Sequence, residues 1–248
     1  MAYIAVKSKR IKKLFHLYKC LSFIGIGVSL FSFISFFVCI ALQRLILLIT
    51  FGALYICGAL ITAISVKRTN TLASGIEGER KLTKVVSGLD NRYCCFKNLC
   101  VSYKGRKSEL DMVVVGPTGI FVVEAKNIKG SVSGDYNEER WRQRKTGRSG
   151  KMYSREFYNP VKQISTHIYR LAGFLKSHGF RVRIDGMVYF TNPETRISIS
   201  GRDDRINILS ELYNGSKMIV NHIVDAPDVL DEEVLVRIVL LLDGKLSA

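Results

Sequence analysis

Two uninterrupted apolar runs dominate the hydrophobic pattern of the chain. Cys20 to Leu42 and Leu45 to Val66 carry no charge over 23 and 22 residues, and only Gln43 and Arg44 separate them. Each is long enough to cross a hydrocarbon core of about 30 Å as a helix. The pattern predicts a transmembrane helical hairpin, 20–42 and 45–66. Small residues (Gly25, Gly27, Ser29, Ser32 and Ser35 facing Gly52 and Gly58) would let the helices approach closely. A soluble buried hairpin is the rival, disfavoured by the length of both runs. A signal peptide is disfavoured by the immediate second span and by the lack of a small-x-small cleavage site.

Past the spans, 67–73 is short and polar and reads as a linker. From Ser74 to Leu89 the pattern becomes helical and amphipathic, with Ile76, Leu82, Val85, Val86 and Leu89 on one face. Glu79 sits at the edge of that face, whereas Glu77 projects from the opposite side beside Arg80, Lys81 and Lys84. Tyr93 to Tyr103 reads as a strand. Glu109 to Lys126 reads as two short apolar strands joined at Gly116-Pro117-Thr118-Gly119. A polar, glycine-containing insertion follows, Asn127 to Asn159. Asn159-Pro160 then starts a helix, with Asn as N-cap and Pro in the first turn, running to about Lys176. Ile184 to Thr191 reads as a strand beside the hairpin. Arg205–Leu209 and Met218–Val224 are expected as further strands, and Asp231–Leu242 as a helix.

The chemistry gathers on the hairpin. With Val115 opposite Ile120, Asp111 faces Glu124 and Glu109 faces Lys126, and alternation puts all four on one face. Carboxylates on directly opposed residues, with Cβ atoms about 4.5–5.5 Å apart, repel unless a cation lies between them. A divalent ion would turn that repulsion into a ligand pair, and the Lys126 ammonium would hold a water or steady developing negative charge. In the competing arrangement Lys126 pairs with Glu109 or Asp111 and the charges merely blunt the strand ends.

Asp111 followed by Glu124-Ala125-Lys126 resembles the D…(D/E)-x-K signature of the PD-(D/E)XK nuclease superfamily. The ordered set of GIEGE at 75–79, the EAK hairpin, Trp141 and NPVKQ at 159–163 is similar to the nuclease-related domain, NERD, within it. Leu110 stands where the signature often has proline. The resemblance covers 74–192 best and implies a restriction-endonuclease-like α/β fold over 74–248. Its αβββαβ core would hold a mixed central sheet flanked by helices. It also implies metal-dependent phosphodiester cleavage. Asp111, Glu124 and the Ala125 carbonyl would hold Mg²⁺ or Mn²⁺, with Glu79 adding a ligand directly or through water. Lys126 would act beside the reacting water, and Gln163, matching the glutamine after the family's Asn-Pro pair, would bond a phosphate or orient that water.

Charge extends this picture to partners. The net charge is +16; residues 1–66 hold seven Lys/Arg and no acid, leaving 30 Lys/Arg against 21 acids beyond. Six basic residues precede the first span and Lys67-Arg68 follow the second, so both termini and the nuclease-like domain are expected on the cytoplasmic face of the cell membrane. Residues 1–19 would form a basic cytoplasmic segment, its Lys9–Lys13 cluster meeting anionic lipid headgroups. In the insertion, Arg140, Arg142, Arg144, Lys145, Arg148, Lys151 and Arg155 interleave with Trp141 and Tyr153. That mixture suits a phosphate backbone and unstacked bases, DNA foremost, and His167 on the following helix is a further contact or proton-transfer candidate. The alternatives are a non-catalytic nucleic-acid tether at the membrane, or a scaffold that keeps only the fold. The six cysteines lack C-x-x-C spacing and are expected to stay reduced.

Overall fold

The computed structural model describes residues 1–42, 44–147 and 150–244. Two compact units divide it: Lys9–Ile76, and Met1–Ser8 together with the chain from Glu77 onward.

In the first unit, helix α1 (Arg10–Ala41) and the bulk of α2 (Leu45–Val86) form an antiparallel pair. Each is long and apolar enough to span a membrane. Their contact is built on Gly25 and Gly58. A Cβ on Gly25 would lie 2.5 Å from Thr62 Oγ1, and one on Gly58 would lie 2.6 Å from Ser29 Oγ. Ser32 is fully buried. Gly27 has nothing within 4 Å and Gly52 touches only Phe36, so these two do not form the seam expected of them. Gln43 lies outside the described residues. The supposed linker 67–73 is helical: α2 runs without a break from Leu45 to Val86, since no proline or glycine interrupts it between Val66 and Ser74.

The second unit opens with a strand that the hydrophobic pattern did not reveal. β1 (Tyr3–Val6) pairs parallel with β2 (Cys94–Tyr103). The basic N-terminal segment is therefore partly a sheet edge, and Lys7 Nζ bonds the carbonyl of Asp243 at 2.9 Å and pairs with its carboxylate. β3 (Arg106–Gly116) and β4 (Gly119–Lys126) make the hairpin, with Val115 opposite Ile120 as the turn chemistry requires. Three more strands follow, β5 (Ser131–Asp135), β6 (Arg140–Thr146) and β7 (Met152–Tyr158), then α3 (Pro160–Ser177) and β8 (Ile184–Phe190). The chain ends with β9 (Arg196–Ser200), β10 (Ile206–Ser210), α4 (Gly215–Val224) and α5 (Glu232–Asp243).

The main sheet has the order β1-β2-β3-β4-β8-β10, mixed because β4–β8 and β8–β10 are parallel. The αβββαβ order runs through the end of α2, β2, β3, β4, α3 and β8. Residues alternate between two cores. Val113, Val115, Ile120 and Val122 join Ile164, Leu171 and Leu175 of α3. Met112, Val114, Phe121 and Val123 join Leu82 and Val86 of α2 and Ile219 and Ile223 of α4.

Two expectations need correction. Met218–Val224 is helical, not a strand: Gly215, Ile219 and Ile223 are buried at a spacing of four. The polar insertion, for which the pattern gave no strands, supplies three strands of a second sheet, β7-β6-β5-β9. Val132, Trp141 and Gln143 are buried while Ser131, Arg142 and Arg144 point outward, a strand period. Gly134 makes room for Trp141, because a Cβ there would lie 2.2 Å from its ring.

Candidate active site

Asp111 and Glu124 sit where the hairpin forks. The β3–β4 ladder stops at Met112 opposite Val123, one step before Asp111 and Glu124. There the Asp111 side chain replaces the ladder: its Oδ2 accepts from the Ala125 N–H at 2.9 Å. The β2–β3 ladder also skips Asp111, because its partner Asn98 has φ +53 in mid-strand. Asp111 thus sits at a locally opened sheet position, with the Ala125 N–H turned toward its carboxylate.

Glu124 is almost fully buried at 2% exposure. Its Oε1 accepts from Lys126 Nζ at 2.7 Å and from Gln163 Nε2 at 2.6 Å, while Lys126 also donates to Gln163 Oε1 at 2.9 Å. The Asn159 cap, whose side chain accepts from the Val161 N–H, fixes the first turn of α3 and so places Gln163. His167, one turn further on, approaches Glu124 Oε2 with its Nε2 at 3.6 Å. Glu124 Oε2 and His167 Nδ1 are buried without a hydrogen bond.

Burial, and then the neighbouring Glu124 charge, push the Asp111 carboxyl well above the ordinary carboxylate range; Lys126 and the Ala125 N–H pull the other way. Burial alone would lower the Lys126 ammonium, but Glu124 and Asp111 outweigh it and the net shift is upward. His167 is lowered, mainly by burial, and so favours the neutral imidazole.

Glu79 is buried at the edge of the second core as its helix position predicts. Its Oε2 accepts from Asn98 Nδ2 at 3.2 Å and lies 3.4 Å from Lys97 Nζ. Lys97 and Asn98 escaped the sequence reading; their signal was a polar pair inside an apolar strand. Among the described residues no three His, Cys, Asp or Glu side chains converge closely enough to hold an ion by themselves. The residues nevertheless fit a hard divalent cation: the Glu124 charge acts on the Asp111 carboxyl, Glu124 Oε2 is buried without a hydrogen bond, and Mg²⁺ commonly takes one or two carboxylates and fills its remaining positions with water and phosphate.

Residues 74–191 match the nuclease-related domain family. The chain carries a NERD domain. Glu79, Asp111, Glu124, Lys126, Gln163 and His167 all fall inside the matched NERD segment, while β9, β10, α4 and α5 lie beyond it. An uncharacterized protein of Bacillus anthracis is 35% identical over 96 residues, which is 38% of this chain and 43% of that relative. The matched stretch thus spans less than half of the relative's length. No solved structure matches the chain.

The basic set of the NERD insertion is divided by the sheet. Arg140, Arg142, Arg144, Lys145, Lys151 and Arg155 are exposed, and Arg148 lies outside the described residues. Trp141 is not a stacking platform: it is fully buried and its indole N–H donates to the Asp135 carbonyl at 2.8 Å. His167 is 8% exposed and faces Glu124, so it belongs with the carboxylates rather than with the basic surface.

Proposed function

We propose that this chain is a membrane-anchored, metal-dependent nuclease that hydrolyses phosphodiester bonds of DNA, or RNA, at the cytoplasmic membrane face. The observation that carries the reading is the pinning of Asp111 by the Ala125 amide beside a Glu124 gripped by Lys126 and Gln163. Asp111, Glu124 and the Ala125 carbonyl would hold Mg²⁺ or Mn²⁺, with Glu79 contributing from the α2 side. When bound, such an ion supplies Lewis-acid activation of a water and of the phosphate.

The chain's own residues do the rest. Lys126 keeps a positive charge beside the reacting phosphate, where electrostatic stabilisation of the transition state is most effective. Gln163 ties Lys126 and Glu124 together through its own hydrogen bonds and offers its remaining amide hydrogen to a water or phosphate oxygen. His167, favouring the neutral form, adds no net charge against Glu124.

Anchoring is supported by the first unit. Phe23, Ile24, Phe31, Ile34, Leu45, Ile46 and Ile49 are all exposed on the helix pair. In water these would form an apolar surface far larger than a soluble protein leaves bare. Two crossings would return the chain to the side it left, and the flanking basic residues would put that side in the cytoplasm.

A non-catalytic nucleic-acid tether is the second reading, favoured by one feature: Lys126 and Gln163 already satisfy Glu124 Oε1. The test is cleavage of labelled single- and double-stranded DNA and RNA by the full chain in detergent across a Mg²⁺ and Mn²⁺ titration. Cleavage that requires the metal and disappears in Asp111→Ala and Glu124→Gln is expected. Salt-sensitive binding with no cleavage at any metal concentration would replace the nuclease by the tether.

A further inference from the structure

The second sheet carries an arginine pair that the carboxylate site does not use. Ser131 of β5 is opposite Arg144 of β6 on one side and Arg196 of β9 on the other. Directly paired residues share a face, and adjacent strands lie about 4.8 Å apart. Two guanidinium groups therefore flank one small hydroxyl on the outer face. All three residues are exposed, while their chain neighbours Val132 and Gln143 are buried and Ile197 packs on the core. Among the described residues neither Arg144 nor Arg196 makes an ion pair. Glu194, the one acid beside them, pairs with Lys129 at 2.9 Å.

These residues line an open cleft of about 630 Å³, with Lys145 at its rim and Met152 and Leu212 supplying apolar surface. The other end of the same face is different in kind: Arg142 approaches Glu156, and Asp135, Glu138 and Glu139 line one cleft with Arg140. Positive charge is thus concentrated at the Arg144–Ser131–Arg196 row. Planar guanidinium forks over a hydroxyl suit a phosphate, and apolar side chains beside them suit a sugar or base face.

We propose that this row is a phosphate anchor for a polynucleotide, separate from the carboxylates and dependent on the nucleic-acid reading above. Its distance from the cleavage site is bounded by the chain. Arg196 N–H bonds the Gly130 carbonyl at 3.0 Å, and Thr191 N–H bonds that of Lys126 at 3.0 Å, so the two segments run together from Lys126 to Ser131. Five residues span at most about 18 Å, on the order of five duplex steps at about 3.4 Å each. The anchor therefore grips backbone a few nucleotides from the scissile bond and sets binding rather than chemistry.

The test uses the full chain in detergent with Glu124→Gln, in metal-free buffer, and follows fluorescence anisotropy of a labelled DNA duplex of two helical turns. Arg144→Ala and Arg196→Ala are each expected to weaken binding several-fold and uniformly across sequences, and to make the log–log salt slope shallower by about 1. Arg202→Ala, which removes an exposed guanidinium that lies against Asp204 and outside this cleft, is the control. A double Arg144/Arg196 variant that binds like Arg202→Ala overturns the anchor. So does displacement of the duplex by soluble glycerophosphoserine as effectively as by unlabelled DNA at equal phosphate, which would point to a lipid headgroup. Because turnover is blocked, failure here leaves the cleavage assay untouched, and failure of cleavage leaves this binding measurement standing.

Discussion

Replacing Asp111 with asparagine should make the protein more stable and inactive at once. Asp111 is held in a site that raises its pKa through burial and the Glu124 charge. A carboxyl with a raised folded-state pKa binds its proton more tightly in the folded chain. The stability it contributes is present at low pH and is lost as the pH climbs from the ordinary carboxylate range through the raised value. Above that raised value the ionised group is thus a destabilising charge. Asparagine removes that charge yet keeps an oxygen to accept from the Ala125 N–H. Without metal, Asp111→Asn should therefore gain on the order of 1 kcal/mol, or about 2–4 °C in Tm for a domain of this size. Mn²⁺ reverses the ranking. A ligand at 100 times its Kd adds about 2.7 kcal/mol to the parent, roughly 5–10 °C, and little to a variant lacking the ligand. Scanning calorimetry in detergent at pH 5 and pH 8, with and without Mn²⁺, reads both effects. A variant less stable than the parent in metal-free buffer at pH 8, or one that Mn²⁺ stabilises as much as the parent, would refute this reasoning.

Three further outcomes follow from packing. Trp141→Ala should cost about 3–5 kcal/mol, seen as a lower Tm, because a fully buried indole and its hydrogen bond are lost. Trp141→Phe should recover much of it. Gly58→Leu should force α1 and α2 apart, since even a Cβ there would sit 2.6 Å from Ser29 Oγ; protease accessibility of the hairpin in detergent reports it. Deleting residues 2–8 should lower the Tm of the domain, as β1 pairs with β2 at four positions and Lys7 ties to Asp243. A fragment starting after the hairpin should show the same loss.

Much of the site was legible because it is local. The Gly116-Pro117-Thr118-Gly119 turn sets the register of β3 and β4, and alternation then puts Asp111, Glu124 and Lys126 on one face. Helical spacing likewise identified Glu79 over Glu77: Glu79 is buried, whereas Glu77 pairs with Arg80 on the surface. What escaped depends on distant partners. Tyr3–Val6 is four residues long and finds its neighbour about ninety positions away. The second sheet gave no strand pattern because its outward positions are Arg and Ser and its inward set is sparse: Val132, Trp141 and Gln143. His167 was grouped with the nucleic-acid contacts because the helix alone cannot say that β4 brings Glu124 against it. Lys126 chose Glu124, two residues back on its own strand, rather than Glu109 or Asp111 across the hairpin, because the ladder ends before the cross-strand pair can form.

The most direct test is the anomalous scattering of Mn²⁺ in crystals of the chain grown with that ion. A single strong peak bonded to one oxygen of Asp111 and one of Glu124, at about 2.1 Å, with Lys126 drawn off Glu124 Oε1, is the predicted result. Crystals saturated with Mn²⁺ that show no peak there, and keep Lys126 and Gln163 on Glu124, would contradict the account.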